Sequence, residues 1–399
     1  MSERTKTPAT TQEIYVGSLS ASSGPFEGPE KLLEIWFAPS ATKLPETAST
    51  NGLRAIDRKI WEDMLDIVKC KILSVVHGSD TDAYLLSESS FFVSAHRLIL
   101  KTCGTTLNLL GVPRILEIAS AHAGLHDVYR CFYSRKSFMF PERQIGPHRD
   151  WKYEVEFLDD IFMDGAAYSV GKVNGDHWLL YLTNPSDIEP AAALPPPVPS
   201  GNYPDYTVEI LMSDLSPNGR APFLTSSPAC ASTHAYELSA RLGILKIFPP
   251  ELTTLDAFSF SPCGYSSNAL IKWGESEDVA GSRLARGESK TPGEGYFTMH
   301  VTPEEGWSYA SFECNVPLRT RIIPSTDGRA FPDMKTLVQR VVGIFEPGRL
   351  SLTLFISSDS DEDAEGESIP TDKLCYKRTD KINYEFMGYE LAFASFERR

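Results

Sequence analysis

A serine-rich turn between two apolar runs is the first feature of this sequence that could do chemistry. Residues 84–86 and 91–93 are predicted to be strands, and the polar residues 87–90 (Ser-Glu-Ser-Ser) join them. Such a turn can hold a serine peptide in a strained geometry, in which the hydroxyl attacks the preceding carbonyl. The resulting ester can lose the Cα proton of Ser89, expel the carboxyl group of Glu88 and leave a pyruvoyl group after hydrolysis. Most turns of this composition are ordinary solvated loops, so the turn alone is weak evidence.

A histidine on a predicted strand is the second candidate. In residues 297–301, alternation places Thr298 and His300 on one face and the apolar Phe297, Met299 and Val301 on the other. A single strand histidine is more often a hydrogen-bonded structural residue than a catalytic one. The pattern therefore indicates where His300 points, and not what it does.

A short acidic strand is the third candidate. Alternation in residues 205–210 places Asp205, Thr207 and Glu209 on one face, with Val208 and Ile210 opposite. Polar strand faces are usually just solvated. Acids that cluster inside a fold repel one another unless they are neutralised or bind a cation. A buried cation site is the alternative to a solvated face.

The elements that must position these residues are mainly strands. Residues 72–76, 83–86, 91–93, 98–102, 208–212, 297–301 and 352–356 are predicted strands, and residues 55–70, 112–123 and 334–345 are predicted helices. A further short helix is predicted over residues 31–37 after Pro29, with Glu30 and Glu34 on one face. Because most strands follow one another through short turns, the sequence predicts an α+β fold with antiparallel sheets.

Composition narrows the classes of partner. Lys and Arg total 38 against 53 Asp and Glu, a formal net charge of -15, which disfavours nucleic acid and anionic membranes and favours small cations. The seven cysteines show no CxxC or metal-ligand spacing, so we expect reduced thiols and no metal site. No apolar run is long enough to span a membrane or form a signal core. The expected location is the cytoplasm.

Four segments lie outside the predicted core. Residues 1–25 form a polar, Thr/Ser-rich tail with no apolar periodicity. The Pro-rich residues 189–200, the Gly- and charge-rich residues 274–295 and the acidic residues 357–368 resemble surface insertions whose roles the sequence does not reveal. Residues 26–399 are expected to form a single domain.

Several longer motifs occur together and in a recognisable order. They are FEGPEKLLE at 26–34, RLILKTCGTT at 97–106, FYSRK at 132–136, GAAY at 165–168, EILMS at 209–213, PCGYS at 262–266 and HVTPE at 300–304. With the serine turn, this series resembles the eukaryotic S-adenosylmethionine decarboxylase family over residues 26–396. The tail and the insertions would suit a fungal member.

The resemblance implies a fold and an activity. The fold would be a four-layer αββα sandwich of two antiparallel sheets, derived from an ancient duplication. Cleavage between Glu88 and Ser89 would give chains 1–88 and 89–399, with a covalent pyruvoyl group formed from Ser89. This group would form a Schiff base with S-adenosylmethionine and act as the electron sink for loss of CO2. The product would supply aminopropyl groups for spermidine and spermine.

The resemblance also assigns roles near the cleavage site. His300 matches the residue that removes the Ser89 Cα proton during processing, and Ser266 matches the one that hydrogen-bonds the oxyoxazolidine intermediate. Cys103 matches the acid that returns a proton to the substrate, although buried strand cysteines usually behave as small apolar residues. Glu27 and Glu30 match active-site acids that would suit a positively charged sulfur.

Substrate-binding residues follow in the same way. Phe26 and Phe260 match an aromatic pair that sandwiches adenine, although the two residues alone would be assigned to the core. Glu304 matches the carboxylate that binds the ribose hydroxyls, and the main chains of Leu86 and Glu88 match substrate contacts. Position 261 holds serine where the family pattern has asparagine, which leaves one minor contact in question.

Family members that putrescine activates use a second set of residues. The matching positions here are Glu34, Asp205, Thr207, Glu209 and Glu313, with Phe132 and Phe355 nearby. Because all the acids are present, the resemblance predicts stimulation by putrescine. Animal-type members are dimers and plant-type members can be monomers, so a homodimer is one of two expected states.

Three other functions stay open at this point. A catalytically silent paralogue could bind and activate a true decarboxylase, although loss of Ser89, Cys103 or His300 would be expected in it. A self-processing hydrolase would use the newly exposed serine as its nucleophile. A plain metabolite-binding module would not cleave at all.

Overall fold

Two eight-stranded antiparallel sheets form the frame of the protein. The computed structural model describes residues 25–183, 205–224, 230–273, 293–318, 331–357, 375–386 and 388–399. The strands are Lys31–Trp36 (β1), Ile72–His77 (β2), Thr81–Leu86 (β3), Ser89–Ser94 (β4), Arg97–Thr102 (β5), Arg130–Lys136 (β6), Gly165–Gly171 (β7), His177–Thr183 (β8), Tyr206–Ser213 (β9), Thr253–Ser259 (β10), Tyr265–Trp273 (β11), Gly293–Thr302 (β12), Tyr309–Cys314 (β13), Arg349–Ser357 (β14), Tyr376–Phe386 (β15) and Tyr389–Arg398 (β16).

The helices lie between these strands in sequence. They are Arg58–Ile67 (α1), Val112–Ala123 (α2), Trp151–Asp159 (α3), Pro217–Arg220 (α4), Ala231–Leu242 (α5) and Met334–Phe345 (α6). The bounds of α2 and α6 are those predicted from the sequence. Helix α1 is shorter than predicted, because the side chain of Asp57 accepts a hydrogen bond from the Lys59 N–H at 2.7 Å and caps the helix there.

The two sheets have the same topology. The first has the order β2-β3-β4-β5-β1-β6-β8-β7, and the second has β10-β11-β12-β13-β9-β14-β16-β15. Each strand of the second sheet therefore follows its counterpart by eight in the chain order. Strand β3 lies against β11, β2 against β10 and β7 against β15, so equivalent strands face each other. This is the arrangement expected of a duplicated unit.

Four layers result from where the apolar side chains point. Helices α1, α2 and α3 pack on the outer face of the first sheet, and helices α5 and α6 on the outer face of the second. Two smaller apolar clusters lie between the sheets, one around Trp178 and Phe393 and one around Phe92 and Tyr296. The α+β sandwich expected from the sequence is confirmed. Polar and charged side chains occupy the space between these two inner clusters.

The predicted helix at residues 31–37 is wrong, because this segment is the central strand β1. Its residues pair with β5 on one side and β6 on the other. Leu33 and Ile35 point outward to the helices, whereas Glu34 points between the sheets. The hydrogen bonds and packing of two neighbouring strands override a helical propensity that was local and weak. Glu30 and Glu34 would still share a face, since an even spacing also keeps residues on one face of a strand.

Most of the predicted tail and insertions lie outside the described residues. Residues 1–24, all of 189–200, 274–292 and 358–368 are in this group, whereas 293–295 belong to β12 and Ser357 ends β14. In the described part of the chain, the seven cysteine side chains form no disulfide. No helix among the described residues is long and apolar enough to cross a membrane.

Candidate active site

The serine turn connects β3 to β4 at one edge of the sandwich. Leu86 and Ser89 pair across it, so Ser87 and Glu88 form a two-residue turn. Ser89 has φ 118°, a conformation that non-glycine residues rarely adopt and that costs free energy. It is 1% exposed, and its hydroxyl has no hydrogen-bond partner among the described residues. The predicted cleavage site is therefore buried and strained, with its hydroxyl free to react.

His300 and Ser266 approach this turn from the opposite sheet. They lie opposite each other on β12 and β11, and Nδ1 of His300 is 2.9 Å from Oγ of Ser266. On its other side, Nε2 of His300 is 3.0 Å from Oγ of Ser90, the neighbour of Ser89. Burial, followed by the charge of Lys101, lowers the pKa of His300 well below its ordinary value. The imidazole is therefore neutral at rest and able to accept a proton.

Cys103 follows β5 and lies beside Glu88. Its Sγ is 3.8 Å from Oε2 of Glu88, and its N–H donates to the Glu88 carbonyl at 3.2 Å. Burial raises the pKa of the Cys103 thiol well above its ordinary value, so the thiol keeps its proton at neutral pH. Burial also raises the pKa of Glu88 to about 7. A protonated thiol at this position can act as an acid.

The acids Glu27 and Glu30 are fixed by donors from different parts of the chain. The carboxylate of Glu27 accepts hydrogen bonds from the N–H groups of Met139 and Phe140, both at 2.8 Å. The carboxylate of Glu30 accepts from the hydroxyls of Tyr309, at 3.2 Å, and Ser311. Burial raises the pKa of both acids. Two preorganised carboxyl groups therefore lie at the same edge as the serine turn.

Two glycines allow the chain to pass close to this site. A Cβ on Gly28 would lie 2.6 Å from Cβ of Tyr309. Gly104 has φ +63°, and a Cβ there would lie 3.3 Å from the ring of Phe26. The ring of Phe26 is thus held over the backbone that carries Cys103.

The predicted substrate-binding residues on the side of the second sheet are more exposed to solvent than Glu27 and Glu30. Phe260 and Glu304 are both partly exposed, and burial raises the pKa of Glu304. Phe260 packs on Phe258, with ring centroids 5.0 Å apart.

The predicted diamine acids form a buried cluster between the sheets. Nη1 of Arg97 lies 3.1 Å from Glu34 and 3.3 Å from Asp205. Asp205 also accepts a hydrogen bond from the hydroxyl of Tyr389 at 3.0 Å. Burial, opposed by Arg97, raises the pKa of Glu34 to about 7. The structure therefore brings Glu34 and Asp205 together around one guanidinium group.

Lys101 connects the remaining two acids. Its ammonium group lies 2.7 Å from Glu313 and 3.8 Å from Glu209, and Glu313 also accepts from the hydroxyl of Tyr296 at 2.6 Å. Oε2 of Glu209 has no hydrogen-bond partner among the described residues, and burial raises the pKa of Glu209 to about 7. The positive charge of Lys101 also opposes the burial that raises the pKa of Glu30, so this cation acts on an acid of the candidate active site as well as on the cluster.

An aromatic wall completes the cluster. Phe132 and Phe355 meet edge to face, with centroids 5.7 Å apart, and Tyr389 stacks on Phe355 at 4.4 Å. Thr207 lies opposite Phe355 on the adjacent strand. All seven predicted residues thus lie in neighbouring strands around one region between the sheets.

Arg97 and Lys101 were missed by the sequence analysis as members of this cluster. Both lie on β5, and their spacing of four places them on one face of the strand. A third cation, Arg130, is buried over the rings of Tyr389 and Phe132 at 5.2 and 5.8 Å, so four acids lie beside three cations in this region. The acids still outnumber the cations.

A cavity of about 420 Å³ lies elsewhere at the same edge. It is lined by residues that include Lys136, Lys172, Arg349 and Tyr309. Neither Ser89 nor His300 is among its lining residues, so we do not assign the chemistry to it. The residues described include no group of three His, Cys, Asp or Glu side chains arranged to hold a metal ion.

Comparison with known proteins agrees with this geometry. The family model described as adenosylmethionine decarboxylase matches residues 23–397. The chain is 36% identical over 379 residues to an S-adenosylmethionine decarboxylase proenzyme of Xenopus laevis, covering 94% of this chain and 95% of that protein. It is 32% identical over 410 residues to one of Saccharomyces cerevisiae, covering 95% and 94%.

A solved structure shares the fold. The crystal structure of the Trypanosoma brucei AdoMetDC-delta26 monomer matches with a TM-score of 0.51 at 21% identity, covering 78% of this chain and 99% of that one. The fold and the site together define an enzyme with an antiparallel four-layer sandwich. The chain belongs to the adenosylmethionine decarboxylase family.

Proposed function

We propose that this chain cuts its own backbone between Glu88 and Ser89 and then decarboxylates S-adenosylmethionine at the new N-terminus of chain 89–399. The product would supply aminopropyl groups for spermidine and spermine. One observation carries the proposal: Ser89 is strained, buried and without a hydrogen-bond partner for its hydroxyl among the described residues, and its neighbour Ser90 lies 3.0 Å from Nε2 of a neutral His300 that hydrogen-bonds Ser266. This combination has no evident purpose in a plain binding module.

The side chains support a division into two stages. In processing, the Ser89 hydroxyl attacks the Glu88 carbonyl, and His300 then accepts the Cα proton. In the mature enzyme, a pyruvoyl group at position 89 supplies the electron sink for decarboxylation. Phe26 and Phe260 would hold the adenine, Glu304 the ribose, and Glu27 and Glu30 the sulfonium side of the substrate.

The proton of the second stage comes from Cys103. Its thiol is buried and protonated, and it lies beside the residue that precedes the cleavage site. Its proximity to the reacting carbon matters more than its pKa, because proton transfer requires hydrogen-bond reach. The first chain would end at Glu88, and the main-chain atoms of Leu86 and Glu88 would contact the substrate.

Intact mass spectrometry of the purified protein tests this proposal. We expect two chains, the larger beginning at residue 89 and lighter by one ammonia than a serine-ended chain. The Ser89→Ala variant should stay uncut. Ser87→Ala is the matched control in the same turn, where the Ser87 hydroxyl accepts a hydrogen bond from the Lys71 N–H at 3.0 Å. An uncut wild-type chain, with or without putrescine, would support the silent paralogue instead, and an unblocked serine terminus would support a hydrolase.

We also propose that putrescine activates the protein by binding the buried acid cluster. Two observations support this proposal: four acids, Glu34, Asp205, Glu209 and Glu313, lie beside three cations, and Oε2 of Glu209 has no hydrogen-bond partner among the described residues. A diamine would bind with its two ammonium groups near the acids and its methylene chain along Phe132 and Phe355. Thr207 would lie beside it as a polar neighbour.

A comparison of two amines tests this second proposal. Putrescine at millimolar concentration should raise the processing rate or kcat, whereas butylamine, with one ammonium group and the same chain length, should not. If neither rate changes with putrescine, the cluster is structural.

A cytoplasmic location and a homodimer of processed protomers also stay proposals. Cell fractionation and light scattering, respectively, test them.

A further inference from the structure

A chain of buried hydrogen bonds reaches His300 from the side away from Ser266. It begins at the backbone carbonyl of Tyr84 on β3, which accepts a hydrogen bond from Nδ2 of Asn268 at 3.0 Å. Oδ1 of Asn268 then lies 2.6 Å from Oγ of Ser90, and Oγ of Ser90 lies 3.0 Å from Nε2 of His300. Asn268 and Ser90 are at most 1% exposed, so water does not compete for these bonds.

The direction of each hydrogen bond follows from the first. The Tyr84 carbonyl can only accept, so the amide of Asn268 must present its NH2 group there and its oxygen to Ser90. The Ser90 hydroxyl must therefore donate to Asn268, and only its lone pairs are left to face His300. Ser90 cannot give a proton to the ring and can only accept one.

The second neighbour of Nε2 behaves in the same way. Oγ1 of Thr298 lies 2.8 Å from Nε2, and it has two oxygens to which it can donate, the Ser267 carbonyl at 3.2 Å and Oγ of Ser90 at 3.0 Å. When the Thr298 proton goes to either of these two oxygens and the Ser90 proton to Asn268, Nε2 faces two lone pairs and is best satisfied by carrying the ring proton. Nδ1 is then the bare nitrogen, and it accepts from the hydroxyl of Ser266 at 2.9 Å.

We propose that Asn268, acting through Ser90, is a positioning residue that holds His300 in the Nε2–H tautomer and so makes Nδ1 the base of self-processing. At the ester stage the Cα–H bond of Ser89 breaks and its proton moves to Nδ1. The electron pair becomes the Cα=Cβ double bond, and the Cβ–O bond breaks to release the Glu88 carboxylate. The imidazolium that forms still donates from Nε2 to Ser90.

The effect of Asn268 on processing rests on the proposed self-cleavage. The tautomer of His300 does not, and it can be measured in a protein that does not cleave. The ring nitrogens of His300 are observed by 15N NMR in the full-length Ser89→Ala protein, with assignment from the signals lost in Ser89→Ala/His300→Gln. We expect a protonated Nε2 and a bare Nδ1. A protonated Nδ1 would overturn the proposal, whatever the rates of cleavage are.

Processing kinetics supply the second readout. Asn268→Ala is expected to slow cleavage by at least about tenfold, as loss of a tautomer-setting partner does in other catalytic histidines. The chain should stop at the ester, seen as an uncut polypeptide that hydroxylamine cleaves. Asn268→Asp is expected to process faster than Asn268→Ala, because a buried, protonated aspartate can still donate to Tyr84 and accept from Ser90.

Asn315→Ala is the matched control. The Asn315 side chain accepts from the Tyr296 N–H at 2.7 Å and so contacts the strand that carries His300, at the end away from the ring. It should process at the wild-type rate. A wild-type rate in Asn268→Ala would sink the positioning role alone, whereas an uncut wild-type chain would sink the proposed self-cleavage. If Asn268→Ala fails to fold, the tautomer in Ser89→Ala still decides the question.

Discussion

The ammonium group of Lys101 lies 2.7 Å from the carboxylate of Glu313, and each side chain is only 1% exposed. Lys101 belongs to the first sheet and Glu313 to the second, so this ion pair joins the two halves of the duplicated fold. Buried pairs of this kind contribute less to stability than their Coulomb energy suggests, since both ions lose water. Breaking one partner is nevertheless costly. If a diamine binds the acid cluster as proposed, the charge of Lys101, which acts on both Glu313 and Glu30, would connect that cluster to the candidate active site.

Replacing Lys101 tests that connection. Lys101→Met leaves Glu313 and Glu209 without their cation, and we expect a loss of about 3 kcal/mol or more in the free energy of unfolding. Putrescine should still raise the melting temperature, because the cluster has gained negative charge. It should no longer raise kcat or the processing rate. Chemical denaturation and steady-state assays with and without putrescine measure both effects.

Lys136→Met is the matched control for Lys101→Met. Lys136 is also a buried lysine of the first sheet, but its ammonium group lies 3.1 Å from Asp176, outside the acid cluster. Its loss should reduce stability and leave the diamine response intact. Full stimulation in Lys101→Met would show that the signal reaches the active site by another path.

The stability of the diamine-free protein should fall as pH rises through about 7. Burial raises the pKa of both Glu34 and Glu209 to about 7, above the ordinary value of 4.5. The folded protein therefore binds more protons than the unfolded chain between pH 4.5 and about 7. Stability from these groups is fully present below pH 4.5 and is lost above about 7. The melting temperature should be lower at pH 8 than at pH 6.

Putrescine should reduce that pH dependence. The diamine binds ionised acids, so its affinity should increase from pH 6 to pH 8 and its binding should release protons near pH 6.5. Calorimetry in two buffers of different ionisation enthalpy measures the proton release. An affinity that is independent of pH would show that Glu34 and Glu209 are not the groups that bind the diamine.

Alternation along the chain explains why several strands could be predicted from sequence. His300 and Thr298 share one face of β12 and the core residues share the other, as expected. The same rule failed for β1, because the run Leu32-Leu33-Glu34-Ile35 also suits a helix and its pairing partners lie far along the chain. Local sequence does not distinguish these two outcomes.

Lys101 and Asn268 were also not predicted as site residues, because their partners lie far away along the chain. Lys101 follows three apolar residues and resembles an ordinary strand end, and its partner Glu313 is 212 residues away. Asn268 contacts the carbonyl of Tyr84, 184 residues away. A lysine or asparagine becomes part of a site only through such long-range contacts. Spacing within one strand does not contain that information.

The Cys103 thiol should be needed to protonate the substrate carbon rather than to bind substrate. Cys103→Ala is expected to lower kcat by about 10² to 10⁴ with little change in KM. Protonation at the cofactor carbon instead would convert the pyruvoyl group to alanine and inactivate the protein. Edman sequencing should therefore detect a growing fraction of chains that begin with alanine during turnover.

Cys131→Ala is the control for that prediction. Cys131 is another buried thiol of the first sheet, but it lies in the outer apolar cluster with the helices. Its loss should reduce stability slightly and leave kcat unchanged. A wild-type kcat in Cys103→Ala would assign the proton to another group, with Glu88 as the nearest candidate.

Gly104 should matter for substrate binding because Phe26 rests on it. A Cβ at Gly104 would lie 3.3 Å from the Phe26 ring and 3.4 Å from Oε2 of Glu88. Gly104→Ala must also adopt φ +63°, which costs about 1 kcal/mol for a residue with a side chain. We expect a lower melting temperature and, from the displaced ring, a higher KM for S-adenosylmethionine.

Gly243→Ala separates these two effects. Gly243 has φ +80°, and a Cβ there would meet nothing within 4 Å. It should lose a similar amount of stability, since the backbone strain is comparable, and keep its KM. If Gly104→Ala raises KM no more than Gly243→Ala does, the ring of Phe26 does not contact the substrate, because only Gly104 lies beneath it.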